Sequence, residues 1–129
     1  MKIIEIEGGR FSNLKGFYDE IERGLTSGLD WKVGRNLDAF DDLLEGGFGM
    51  HDYGEEVELI WTNSDRSRMK LGYEETVKYF QDKLRKCHPS NKREVKNELE
   101  MAMNGKGETL FEMIVEIIKD HQHITLKMK

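Results

Sequence analysis

Ile3, Ile4 and Ile6, set between charged residues, predict a strand over Lys2–Ile6 with Ile4 and Ile6 on one face and Ile3 on the other. Glu7-Gly8-Gly9-Arg10 predicts a turn, since paired glycines reach backbone conformations that other residues resist. Ser12 is placed to cap a helix to about Leu25, whose Leu14, Phe17, Tyr18, Ile21 and Leu25 keep the spacing of one buried stripe. Thr26–Gly34 predicts a loop. Asn36 then caps a short helix to about Glu45, and Gly46-Gly47 ends it. Val57–Trp61, apolar except for Glu58, predicts a strand covered on both faces.

Two helices are predicted next. Tyr73–Cys87 carries Val77, Phe80, Leu84 and Cys87 inward and stops at His88-Pro89, because proline disfavours helix in the residue before it. Asn91–Met103 carries Val95, Leu99 and Ala102, and Asn104-Gly105 closes it. A last helix spans about Glu108–Asp120 with Leu110, Phe111, Ile114, Ile117 and Ile118 inward. The alternation in Ile124–Met128 predicts a final strand. Strands separated by helices need crossover connections, so the order β-α-α-β-α-α-α-β predicts an α/β fold with a short parallel sheet packed by helices.

Length and composition fit one domain over residues 1–129. Charged residues make up 35% and the mean hydropathy is -0.69. No apolar run approaches the roughly 20 residues of a membrane-spanning helix. Met1–Arg10 lacks the apolar stretch of a signal peptide. The single cysteine, Cys87, excludes an internal disulfide and all-cysteine metal cages. A cytoplasmic, monomeric protein is expected.

Charge is unevenly placed. Thr62–Lys106 holds 11 Lys+Arg against 7 Asp+Glu, a net +4, while the other 84 residues hold 9 against 18, a net -9. An acidic body favours basic partners and repels nucleic-acid phosphates. The acidity peaks in Asn36–Glu45. At about 100° per residue, Leu37, Ala39, Phe40, Leu43 and Leu44 face one side, and Asp38, Asp41, Asp42 and Glu45 crowd the other. Like charges three and four residues apart cost up to roughly 0.5 kcal/mol each. Asp38 and Asp41 recover part of this near the positive N-terminal end, but Glu45 sits at the opposite end. The stripe reads either as an ordinary solvated face or as a surface tuned to a cationic site.

Gly-x-Asn-Leu-Asp-Ala-x-x-Asp-x-Leu-x-Gly, present from Gly34 to Gly46, resembles the signature of the barstar family of ribonuclease inhibitors. The likeness continues in Ile3–Leu25, in Val57-Glu58-Leu59-Ile60-Trp61, and in the closing Thr109–Leu126. It implies a three-stranded parallel sheet with helices; the helical block at about 62–106 is an insertion that exceeds the family's short third helix. It also implies a partner similar to barnase, a small guanyl-specific ribonuclease whose basic site is blocked by helix carboxylates. By position, Asp42 would enter the catalytic phosphate site, and Asp38 would meet basic side chains at its rim. Glu116 would be a further acidic contact, Asn36 and Leu37 would set the helix, and Asp41 and Glu45 would extend the acidic surface. The chain departs from the family where Lys32 and Val33 replace aromatic residues before the helix. It departs again at Asp41, and at Gly47 and Phe48, where tryptophans are usual; Trp31 is a candidate for a shifted aromatic contact.

The four acids resemble a divalent-cation set but lack loop carbonyls. Asp52 and Glu58 lack the lysine of a nuclease pattern. His121 and His123 read as metal ligands or as a polar turn. Cys87-His88 lacks a third catalytic partner. Met101, Met103 and Met113 read as core, and Gly46-Gly47-Phe48-Gly49 is no phosphate loop. No catalysis, cofactor, metal, nucleic acid or membrane is expected. The alternative function is an interaction module or antitoxin acting on a different basic partner, with Tyr73–Met103 and its Lys83, Arg85, Lys92 and Arg93 as the working surface.

Overall fold

The computed structural model describes residues 2–25, 36–46 and 54–129. The predicted loop Thr26–Gly34, with Trp31, Lys32 and Val33, lies outside the described residues, as do Gly47, Phe48, Gly49 and Asp52.

Three strands, β1 (Lys2–Glu7), β2 (Val57–Thr62) and β3 (Ile124–Met128), form a parallel sheet in the order β1-β2-β3. Ile4, Leu59 and Leu126 share one register row, and Ile6, Trp61 and Met128 another. Both crossovers step the same way across the sheet, so right-handed connections deliver the helices to one face. Burial agrees. Ile4, Ile6, Val57, Leu59, Trp61 and Ile124 are buried, whereas Ile3 is 60% exposed and Glu58 pairs with Lys127 on the other face. The expectation that β2 is covered on both faces is therefore corrected: its burial alternates, as in a two-layer packing.

The helices are α1 (Leu14–Leu25), α2 (Leu37–Glu45), α3 (Ser64–Lys70), α4 (Tyr73–Lys86), α5 (Lys92–Met103) and α6 (Leu110–Lys119). The main core gathers around Trp61, whose ring stacks on Phe17 (5.8 Å) and lies 5.1 Å from Phe111, while Phe17 meets Phe40 edge-on at 5.3 Å. The indole N–H donates to Ser67 Oγ at 2.9 Å, so this buried polar atom is satisfied. A smaller cluster of Phe80, Val95 and Ala102 lies between α4 and α5 and joins the main core through Tyr79 and Met113.

Several local expectations are corrected. The cap of α1 is Asn13, whose side chain accepts from Gly16 N–H at 2.8 Å; Ser12 Oγ accepts from Arg66 instead. α3 was not predicted, because Ser64–Lys70 has no apolar periodicity. It is held by the buried Ser64 and Ser67, and by Arg66, which donates to the Gly8 and Phe11 carbonyls. Gly8 lets the end of β2 and the start of α3 come close, since a Cβ there would lie 2.6 Å from the Thr62 and Asn63 carbonyl oxygens. Met101 and Met103 are exposed rather than core. α6 starts in a capping box between Thr109 and Glu112, two residues later than predicted.

Glu20 is buried and ties α1 to β1 by accepting from Glu7 N–H at 2.8 Å. Burial pushes its carboxyl up, but hydrogen bonds from Arg23 and Glu7, with the charges of Arg23 and Arg10, hold it below the ordinary range.

Candidate functional site

α2 is fixed at both ends before any partner is considered. Asn36 Oδ1 accepts from Ala39 N–H at 2.7 Å, the expected N-cap. Gly46 adopts φ 102° just past the end and returns its N–H to Leu43 at 3.2 Å, a conformation that favours glycine. Phe40, Leu43 and Leu44 are buried in the main core, and Leu37 packs against its edge. Asp38, Asp41, Asp42 and Glu45 all face outward and are exposed.

The stripe divides into two rows of residues four apart. Asp41 and Glu45 face His121, which follows α6 and has a side chain only 4% exposed. His121 Nε2 lies 2.6 Å from Asp41 Oδ1. Its Nδ1 lies 2.7 Å from Glu45 Oε1, within ion-pair distance although off the line of a directed hydrogen bond. His123 Nε2 sits 2.9 Å from the Leu44 carbonyl oxygen and so donates to it. Leu44 is in the last turn, where helix carbonyls lack intrahelical partners. The two histidines read from sequence as ligands or a polar turn thus form a turn that holds the C-terminal half of α2. Among the described residues, no group of three or more His, Cys, Asp or Glu is arranged to hold a metal ion.

Asp38 and Asp42 form the other row. Among the described residues, no hydrogen bond or ion pair engages either carboxylate. Asp38 lies near Tyr18 and Tyr79. Burial raises both phenols, and the Asp38 charge adds to the rise in each. Glu116 lies apart from the stripe, on α6 beside Glu108. The Glu108 carboxyl is raised by its hydrogen bond with Glu116, then by burial and by the Glu116 and Glu112 charges. Four of the six residues expected at a binding surface, Asn36, Asp41, Glu45 and Glu116, therefore make internal contacts, Glu116 within a second acidic group. Asp38 and Asp42 make none among the described residues.

A sequence model of the family described as barstar (barnase inhibitor) matches residues 1–103. The chain belongs to the barstar family. The three-stranded parallel sheet with its helices agrees with a barstar-like fold, and the family is one of inhibitors acting on barnase-type ribonucleases through protein–protein contact. No curated protein sequence matches the chain. The family match covers α2 and its stripe and ends at Met103, before Glu116 and His121.

Proposed function

We propose that this barstar-family protein blocks the active site of a barnase-type, guanyl-specific ribonuclease with the exposed acidic face of α2, inside the cell that makes the enzyme. The supporting observation is a helix capped at Asn36 and anchored by Phe40, Leu43 and Leu44, with Asp38 and Asp42 turned to solvent and unmatched by any described cation. A basic RNA-cleaving site is built to hold phosphates, and two carboxylates on a rigid helix present charge of the same sign. Opposed fields speed encounter, and close charge pairs fix the register of the complex. In this reading Asp42 enters the phosphate site, Asp38 meets its rim, and Glu116 adds acidic character to α6.

The double replacement Asp38→Ala, Asp42→Ala tests the mode. It should abolish inhibition while leaving the fold intact or slightly more stable, because removing an i,i+4 like-charge pair relieves repulsion. Retained inhibition by that variant sinks the proposal.

The α4–α5 hairpin supports a second reading, an interaction module for another partner. It has its own apolar cluster, and its Lys83, Arg85, Lys92 and Arg93 are exposed. Reversing those four charges would then weaken binding more than the α2 variant does.

A further inference from the structure

Four carboxylates on one face of a nine-residue helix need compensation, and the structure supplies it from residues about 80 positions away in sequence. We propose that His121 is the positioning residue of the acidic helix: held between Asp41 and Glu45, it engages that row and leaves Asp38 and Asp42 as the row that meets a cationic partner. This rests on the reading of α2 given above.

The geometry carries the inference. Both ring nitrogens of a buried side chain face carboxylate oxygens, at 2.6 and 2.7 Å. Nε2 stands at hydrogen-bond distance from Asp41, and Nδ1 contacts the Glu45 carboxylate without a directed hydrogen bond. The groups facing the ring are Asp41 and Glu45 from α2, and His123 from its own turn, edge-on with ring centroids 5.7 Å apart. His123 is occupied with the Leu44 carbonyl, and no lysine or arginine pairs with Asp41 or Glu45 among the described residues. The ring also lies by the C-terminal half of α2. A partner's cation approaching Asp41 and Glu45 must displace His121 from them. Among the described residues, no side chain pairs with Asp38 or Asp42.

Two comparisons test this. The first sets Asp38→Asn, Asp42→Asn against Asp41→Asn, Glu45→Gln, with calorimetric titration of each into a barnase-type ribonuclease and thermal unfolding of each alone. The open-row variant should lose at least about a hundredfold in affinity with its melting temperature unchanged or raised. The clasped-row variant should melt lower yet bind within a few-fold of the parent. Equal affinity losses in both variants overturn the proposal. The second comparison needs no partner, so it stands whether or not the ribonuclease reading holds. His121→Ala removes the clasp and should lower the melting temperature, and His121→Gln, which keeps a hydrogen-bond donor, should recover part of that loss. An unchanged melting temperature in His121→Ala, or no recovery in His121→Gln, overturns the clasp.

Discussion

α2 carries only acidic charge and the α4–α5 hairpin mixes both signs, and they are held in opposite ways. The hairpin supports itself: its apolar residues form their own cluster, and its charges pair locally. Asp82 takes Arg85 and Lys86, and the Lys83 ammonium lies 5.9 Å from both the Tyr79 and Phe80 ring centres. α2 is too short and too uniformly charged to be stable alone. It is held by Asn36 at one end, by the main core beneath, and by His121 and His123 at the other. A helix whose orientation is set by distant parts of the fold presents its exposed groups in fixed positions, which a binding surface requires. A self-paired hairpin places no such demand on the rest of the molecule.

The comparison can be broken most decisively in the two cores. Phe40→Ala should cost about 3–5 kcal/mol and open the sheet and α2 together, since Phe40 packs on Phe17 in the main cluster. Phe80→Ala should instead lose hydrogen-exchange protection first in α4 and α5; equal loss of protection in β2 would show one indivisible core. Asn36→Ala should cost about 1 kcal/mol in urea unfolding through the lost cap. An unchanged midpoint would mean that α2 does not need its cap. Arg85→Ala should move stability by less than about 0.5 kcal/mol, because its pair with Asp82 is exposed.

A pH test separates two ways of relieving like charge. α2 sets a histidine beside its carboxylates, whereas the Glu108 carboxyl is raised by its hydrogen bond with Glu116 and by burial. Glu108 is raised in the folded state, so its contribution is present at low pH and is lost as pH rises through the raised value. Glu108→Gln should therefore change the melting temperature little at about pH 4 and raise it at about pH 7. The reverse order would contradict a raised Glu108 carboxyl.

Periodicity and caps made α2, all three strands and the α4–α5 pair legible in the sequence. Leu37 to Leu44 and Ile3 to Ile6 carry the two periods plainly. α3 was illegible because Ser64 and Ser67 hold it by small size and hydrogen bonds rather than by apolar spacing. The acidic stripe was visible, but its division was not. Nothing local to Asp41 or Glu45 signals a histidine 80 residues later, and the His121-Gln122-His123 spacing fits a metal pair or a turn as well. Glu116 read as part of one acidic surface, yet its hydrogen-bonded neighbour is Glu108, outside the helix pattern.

The most direct test of the central claim is titration of the intact protein into a barnase-type ribonuclease, following RNA cleavage at low and at moderate salt. Stoichiometric inhibition that weakens as salt rises is the expected result, because screening acts on the exposed charges that steer the two surfaces together. Full enzyme activity at micromolar inhibitor and low salt would contradict the claim.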